Sequence, residues 1–356
     1  MNLFFSSRDP GVAVPIFDGP LKPNQLLESA EVVAQDSEYN DLASDGKDLY
    51  VAQGSSIMRL SEQDKLEIHA DMSGEITALA VIGDGLAVAI AGSEVVIVGG
   101  RHHGRRWVDF GGTKPKSINA IAAIGTGSLV VTAGSAKHPC DGWTRDLLEA
   151  GATGTAFQID LGAGTVSTLA SGLQHCFGAV AQGNGVWLSE SWRHRILNVR
   201  NGAIEPVLSL LPGYPSRLAQ SASGGCWASV FACRTQLVEF VLRQNDYRKA
   251  MLKEIDPAYW IAPALSSGNS FLEPLQGAGV KQMGIVKPWA PPRSYGLVLR
   301  LDEQGQILYS LHSRGDGIHH GIVAVAECAR YLYALAKGPG RLLRLSIADC
   351  ERTLAP

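Results

Sequence analysis

The chain contains no run of about 18 apolar residues, and Met1 to Pro20 is broken by Arg8, Asp9, Pro10 and Asp18. Neither a membrane-spanning helix nor an export leader is expected from that pattern. Only 18% of the residues are charged, the formal net charge is −3, and basic and acidic residues are interspersed. That leaves no electrostatic footprint for nucleic acid. The densest basic stretch, Arg101-His102-His103-Gly104-Arg105-Arg106, has the length of a solvated turn. The six cysteines, Cys140, Cys176, Cys226, Cys233, Cys328 and Cys350, form no CxxC and no Cys/His zinc spacing. They read as reduced thiols of a cytoplasmic protein. The chain also lacks a Gly-x-Ser-x-Gly elbow, a phosphate-binding loop, a GxGxxG between strand and helix, and a His-Glu-x-x-His helix. Serine-hydrolase, nucleotide-binding and zinc-protease readings lose their support with them.

What is present is a core-forming composition, 46% hydrophobic, punctuated by 40 glycines. Short β-prone runs recur with Gly-containing turns between them. One unit runs Asn40 to Ser44, Asp45-Gly46, Leu49 to Ala52 and Ser56 to Leu60; the next runs Ile76 to Val81, Gly83-Asp84-Gly85, Leu86 to Ile90 and Val95 to Val98. Further units begin at Ile118, Phe177, Arg217 and Ile322. Six four-stranded units closed in a ring remove the sheet edges that an open sheet would expose. The fold expected is therefore all-β, a six-bladed β-propeller formed by one domain over residues 1–356, with the residues before Glu31 supplying a closing strand. Two segments interrupt the repeat. Residues 135–155 are a polar insertion in blade three and a candidate lid. Residues 238–294 are an insertion in blade five, helix-like at first and later rich in proline, and carry Tyr247, Tyr259, Trp260, Phe271 and Trp289. Each lies inside a unit, which argues against a linker between two β-sandwich domains.

Three stretches carry a family resemblance. Leu211-Pro212-Gly213-Tyr214-Pro215 with Ser221 to Trp227, Ser189-Glu190-Ser191-Trp192-Arg193-His194-Arg195-Ile196, and Asp146-Leu147-Leu148-Glu149 before Thr153-Gly154 resemble motifs of the strictosidine synthase-like family. That family includes the animal adipocyte plasma-membrane-associated protein and is related to the gluconolactonase and paraoxonase propellers. The resemblance spans roughly Asp36 to Ile347 and implies a ligand at one end of the central channel, near the start of each blade's innermost strand.

Metal-dependent relatives hold a divalent cation there on a glutamate, two asparagines and an aspartate. The matching positions here are Asn40, Asn119, Phe177 and Ser216, a poor cage for a hard cation that wants several oxygens and carboxylate charge. Asp41 adjoins Asn40, but strand alternation turns neighbours to opposite faces. No metal and no other cofactor is expected. The glutamate that serves the plant alkaloid synthases as acid/base aligns with Val323, which transfers no proton. Glu327, four residues on, reads as a solvated hairpin residue.

The channel mouth is left with His175, Arg217, His319 and His320, with Tyr39 and Tyr214 close in sequence. A histidine near its ordinary pKa serves as general base at neutral pH, as channel histidines do in the related paraoxonases. His320 is the leading candidate base, with the alternative of a histidine hydrogen-bonded in the channel wall, and His175 is the second candidate. Arg217, Asn40, Asn119, His319 and Tyr214 are candidate ligand contacts. Arg217 favours an anionic ligand or forms a structural ion pair, for which Glu190 is a candidate partner. The sequence thus supports a metal-independent hydrolase of a small ester, lactone or amide in the channel. The alternative is a non-catalytic propeller that binds a small molecule or a protein.

Overall fold

A computed structural model describes residues 14–268, 273, 281–282, 285–286 and 293–354. Phe271 and Trp289 lie outside the described residues. Six four-stranded antiparallel sheets form the blades of a six-bladed β-propeller. Blade one is Tyr39–Ser44, Leu49–Gln53, Ser56–Leu60 and Leu66–Asp71, ordered from the axis outward, and blades two, three and four start at Ile76–Ile82, Ile118–Ile124 and Cys176–Gln182. Blade five starts at Gly213–Gln220 and Cys226–Cys233, and Gly296–Leu301 and Ile307–Ser313 complete it after the insertion.

Blade six joins both ends of the chain. Its inner three strands are Ile322–Cys328, Tyr331–Ala336 and Arg341–Ser346, and Glu31–Gln35 pairs antiparallel with the third. The closing strand therefore begins at Glu31 rather than lying before it. The preceding residues work as a clamp instead, because Leu27 donates its N–H to His312 and the Glu28 carboxylate accepts from Ser313, Ile318 and His319.

Local sequence explains the blades. Gly83 adopts φ +59 in the two-residue turn Gly83-Asp84, since Ile82 pairs directly with Gly85, and a primed hairpin turn requires that left-handed backbone. Alternating Val, Leu, Ile and Ala then fill the spaces between blades. Ala78, Ala87, Ala89, Val95, Val131 and Phe157 join one cluster spanning blades two and three, all essentially inaccessible.

Both insertions are partly helical. The first contributes the helix Trp143–Leu148; the second contributes Gln236–Arg243 and Asn245–Glu254. Leu148 from the first packs with Val241, Met251, Trp260 and Ala262 from the second, so the two form one cap on the same face. Tyr247 and Tyr259 stay exposed. Among the described residues no helix is long and apolar enough to cross a membrane, and all six cysteines are free thiols.

Burial of several histidines sets an acid limit on stability. Burial, with Arg234's charge added, pushes His194 down to about 3, and burial pushes His312 down to about 4. His175 and His320 are lowered for the same first reason. The unfolded chain takes these protons near pH 6.5 while the folded chain refuses them, so stability falls as pH drops from 6.5 toward 4. Each uncompensated histidine contributes up to ~1.4 kcal/mol per pH unit in that window. Asp41, raised by burial to about 6, takes its proton earlier in the folded state and offsets one histidine below that pH. Urea midpoints measured from pH 7.5 to 4.5 are expected to fall steeply below 6.5; a flat profile would contradict the burial of these rings.

Candidate functional site

At the capped end of the axis each innermost strand carries the same irregularity. In blade one Tyr39 pairs with Gln53 and Asp41 with Ala52, so Asn40 is an extra residue. The same two-against-one count occurs at Thr77, Asn119, Phe177 and Val323. In blade five Ser216 and Arg217 together oppose Ser229. A bulge re-aims the unpaired side chain, and Asn40, Thr77, Asn119, Phe177, Arg217 and Val323 all line one cavity of about 580 Å³. The bulge also corrects the alternation argument, because Asn40 and Asp41 both serve the channel. Ser216 points elsewhere, its hydroxyl bonded to Ser229 and to the Ile322 carbonyl, and Arg217 takes its place in the ring.

The Arg217 guanidinium closes the channel below the cavity. Its Nε lies 3.0 Å from Asp41 Oδ1, Nη2 donates to the Thr77 carbonyl at 2.8 Å, and the group sits 5.3 Å over the Phe177 ring. The structural ion pair expected of Arg217 is thus made with Asp41; Glu190 instead pairs with Arg195 at 2.5 Å. Burial raises Asp41 to about 6 against the pull of Arg217 and of the Leu42 and Leu79 N–H groups, so at neutral pH the pair stays charged. On its far side lies a smaller hollow of about 200 Å³, walled largely by alanines of the inner strands.

The same level of the channel carries a belt of bonds between successive blades. Leu79 N–H donates to Asp41, Thr77 to the Ile118 carbonyl, Asn119 to the Cys176 carbonyl and Ser189 to the Ser216 carbonyl. Ser216 continues to Ile322, and Lys337 closes the circle by donating to the Tyr39 carbonyl at 3.0 Å. Asn119 is consumed by this role, since its Oδ1 accepts from Thr132.

One wall has the geometry of a proton acceptor. His175 Nδ1 lies 3.4 Å from Asp146 Oδ2, and the ring stacks on Trp192 with centroids 4.2 Å apart. Asp146 comes from the helix of the first insertion and also accepts from Trp192 Nε1 at 2.8 Å. Burial alone would raise Asp146, but the hydrogen bonds from His175, Ser135 and Trp192 hold it below the usual range. His175 is 2% exposed and has φ +60, a strained conformation for a side-chain-bearing residue of the kind found at functional sites. Burial lowers its pKa, with Asp146 opposing.

Pro139, Cys140, Asp141, Trp143 and Leu265 roof the cavity. A second cleft of about 530 Å³ runs between the two insertions and shares Pro139, Asp141, Trp143 and Leu265 with the first, so it is contiguous with the mouth.

Of the residues singled out from sequence, His175, Arg217, Asn40 and Asn119 meet at this cavity. His320 does not: Nδ1 is bonded to Ser294 Oγ at 2.7 Å and Nε2 to the Arg314 carbonyl at 2.8 Å, leaving no ring nitrogen for a reaction. His319 is likewise engaged by the Leu27 carbonyl and by Arg341. Tyr214 is wholly buried beside Trp192, His194 and Phe231. Val323 does reach the cavity, and Glu327 accepts from Trp227 Nε1 at 2.8 Å, tying blade six to blade five rather than standing in solvent. Sequence reading missed Lys337, Glu75, Asp146 and Trp143. Asp146 and Trp143 had a signal, since both lie in the candidate lid and Asp146 opens a resemblance stretch; for Lys337 and Glu75 it was position alone, Lys337 directly following the second strand of its blade and Glu75 directly preceding the first strand of its own.

The sequence matches no protein-family model and no curated protein. The fold is similar to solved structures at low identity. A gluconolactonase from Xanthomonas campestris is 13% identical with a TM-score of 0.55, covering 88% of each chain. The calcium-binding protein regucalcin from Agrobacterium tumefaciens is 12% identical with a TM-score of 0.54, covering 89% of this chain and 93% of that one. A luciferin-regenerating enzyme is 10% identical with a TM-score of 0.53, covering 90% and 94%.

A calcium ion of the kind the regucalcin binds does not fit the donor set here. Asn40 Oδ1 already accepts from the Lys337 ammonium and Asn119 Oδ1 from Thr132, Phe177 offers no donor, and the Arg217 guanidinium brings positive charge to the ring instead of an oxygen. Among the described residues no group of three or more His, Cys, Asp or Glu is placed to hold a metal.

Proposed function

We propose that this chain is a hydrolase that opens a small ester or lactone in the mouth cavity without a metal, using His175 as general base. The observation that carries this reading is the pairing of a cavity-wall histidine with a buried carboxylate, His175 Nδ1 facing Asp146. With Nδ1–H turned to Asp146, Nε2 is the nitrogen left for the cavity. It takes a proton from water as the water oxygen adds to the ester carbonyl carbon. The tetrahedral intermediate then collapses, and the imidazolium returns the proton to the departing alkoxide. For a lactone that alkoxide stays attached and the product is a hydroxy acid. Asp146 stabilises the imidazolium while it exists, and Trp192 fixes the ring plane. The fold likeness to a gluconolactonase adds support from lactone chemistry.

A second reading, a propeller that binds a small molecule without turning it over, draws on a different observation. Thr77, Asn119 and Arg217 spend their polar atoms on bonds across the channel, which leaves few groups for catalysis.

The test is a panel of esters and lactones assayed with and without a chelator. Turnover is expected to be unchanged by chelation, and the acid limb of kcat/KM should lie below pH 6.5, because burial keeps His175 neutral to lower pH than a free histidine. Compounds that raise the melting temperature but are never hydrolysed would favour the binding reading; turnover that needs calcium would overturn the metal-free one.

A further inference from the structure

The two cations in the cavity wall are not equivalent. Arg217 is spent: Asp41 takes its charge, and its Nη atoms reach the Thr77 and Val323 carbonyls. Lys337 is different. Its ammonium donates to the Tyr39 carbonyl and to Asn40 Oδ1, both neutral acceptors, and an ammonium has three protons. Asn40 stands between it and the nearby carboxylate, because Asn40 Nδ2 donates to Glu75 Oε1 at 2.9 Å. Among the described residues, a half-formed shell of neutral oxygens around a largely buried cation leaves one donor and one unit of charge for whatever enters the cavity.

We propose that Lys337 is the seat of a carboxylate, so that the ligand of this cavity is a small carboxylic acid with an apolar body, anchored at Lys337 and carrying its reactive carbonyl toward His175. The orientation toward His175 rests on the hydrolase reading above; the seat itself does not. A charge-assisted hydrogen bond is about twice as strong as a neutral one, and a lysine offers a point charge that suits a single oxygen. The remaining wall, with Phe177, Phe231, Trp143, Leu265 and Val323, is apolar and matches a hydrocarbon body. Glu75 and, from the roof, Asp141 also line the cavity and disfavour a second negative charge, which selects a carboxylate over a phosphate dianion. Burial, with Arg217's charge added, holds the Lys337 ammonium below the usual lysine range, and a bound anion relieves that cost.

The experiment is calorimetric titration of the intact protein with phenylacetate, its neutral analogue phenylacetamide, and phenyl phosphate. Phenylacetate should bind at least 10-fold more tightly than either of the others. Lys337→Met should lose that preference, and Lys337→Arg, which keeps the charge, should retain part of it. Circular dichroism and the melting temperature check that the variants fold, and the comparison of acid with amide on the wild-type protein needs no variant at all. Equal affinity for acid and amide, no binding of phenylacetate, or an undiminished preference in a folded Lys337→Met overturns the seat. Carboxylate preference without hydrolysis of any ester leaves the seat standing and removes the hydrolase. Hydrolysis of neutral and acid-bearing esters at equal kcat/KM, with KM unmoved by Lys337→Met, does the reverse.

Discussion

Under the proposed hydrolase reading, Gly134→Ala is expected to lower ester or lactone turnover about 10²-fold while leaving the fold intact, although Gly134 needs to touch no substrate. A Cβ built at Gly134 would lie 2.5 Å from His175 Cε1 and 2.8 Å from both His175 Nδ1 and Asn119 Nδ2. Something has to move. Asn119 is fixed by its bonds to Cys176 and Thr132, and the imidazole is backed by Trp192, so the ring is driven out of the plane that faces Asp146. A displacement of about 1 Å in a reacting group costs on the order of 10²-fold in rate. On the same reading His175→Ala removes the proposed base altogether and should cost about 10²–10⁴-fold. The two variants separate under rescue: added imidazole can enter the space vacated in His175→Ala and restore part of the rate, whereas Gly134→Ala offers no such space. Wild-type turnover in a folded Gly134→Ala would mean that the orientation of His175 has no bearing on the reaction.

The second large effect is on stability. Asp41→Ala should destabilise the protein by about 3–5 kcal/mol, because it strands the Arg217 charge in the middle of the channel. Asp41 is 1% exposed and Arg217 is 8% exposed, so water does not readily replace the lost partner. Arg217→Met strands the Asp41 carboxylate instead, which escapes in part by taking up a proton. The double variant should recover most of the loss, since a buried ion pair replaced by apolar groups is often neutral in stability. Urea unfolding of the two single variants and the double one measures the coupling. Simple additivity would show that the two side chains act independently, contrary to their 3.0 Å separation.

The strands were legible because alternation and Gly turns are local signals, and the insertions were legible because local chemistry changes where they start. Asn40, Asn119, Phe177 and Val323 could be placed in the ring by resemblance, and all four are there. The failures share a cause. A bulge adds one residue without any composition that marks it, so counting by twos put Asp41 on the wrong face and put Ser216 where Arg217 stands. His175 and His320 occupy similar places just ahead of an inner strand. Only the partners brought by distant segments separate them: Asp146 from the first insertion for one, Ser294 and the Arg314 carbonyl for the other. Lys337 and Glu75 belong to the short connections that flank strands, and nothing in their neighbours fixes where those side chains point.

The extra residue in each bulge forms no rung of its sheet. It can be exchanged without changing the register of any strand, so shape and chemistry are written at different positions of the same chain. They are not wholly independent, because Asn40, Thr77, Asn119 and Arg217 also hold bonds across the channel. The side chains of Phe177 and Val323 make no hydrogen bond, since Val323 receives Arg217 through its carbonyl and Phe177 meets the guanidinium only with its ring face, and they are the freest letters of the six. Substitutions at these two positions alone reshape the cavity while the strand register stays in place. The chain shares its propeller fold with a gluconolactonase at 13% identity, while its ring carries at Phe177 and Arg217 a phenyl and a guanidinium, neither of them an oxygen donor.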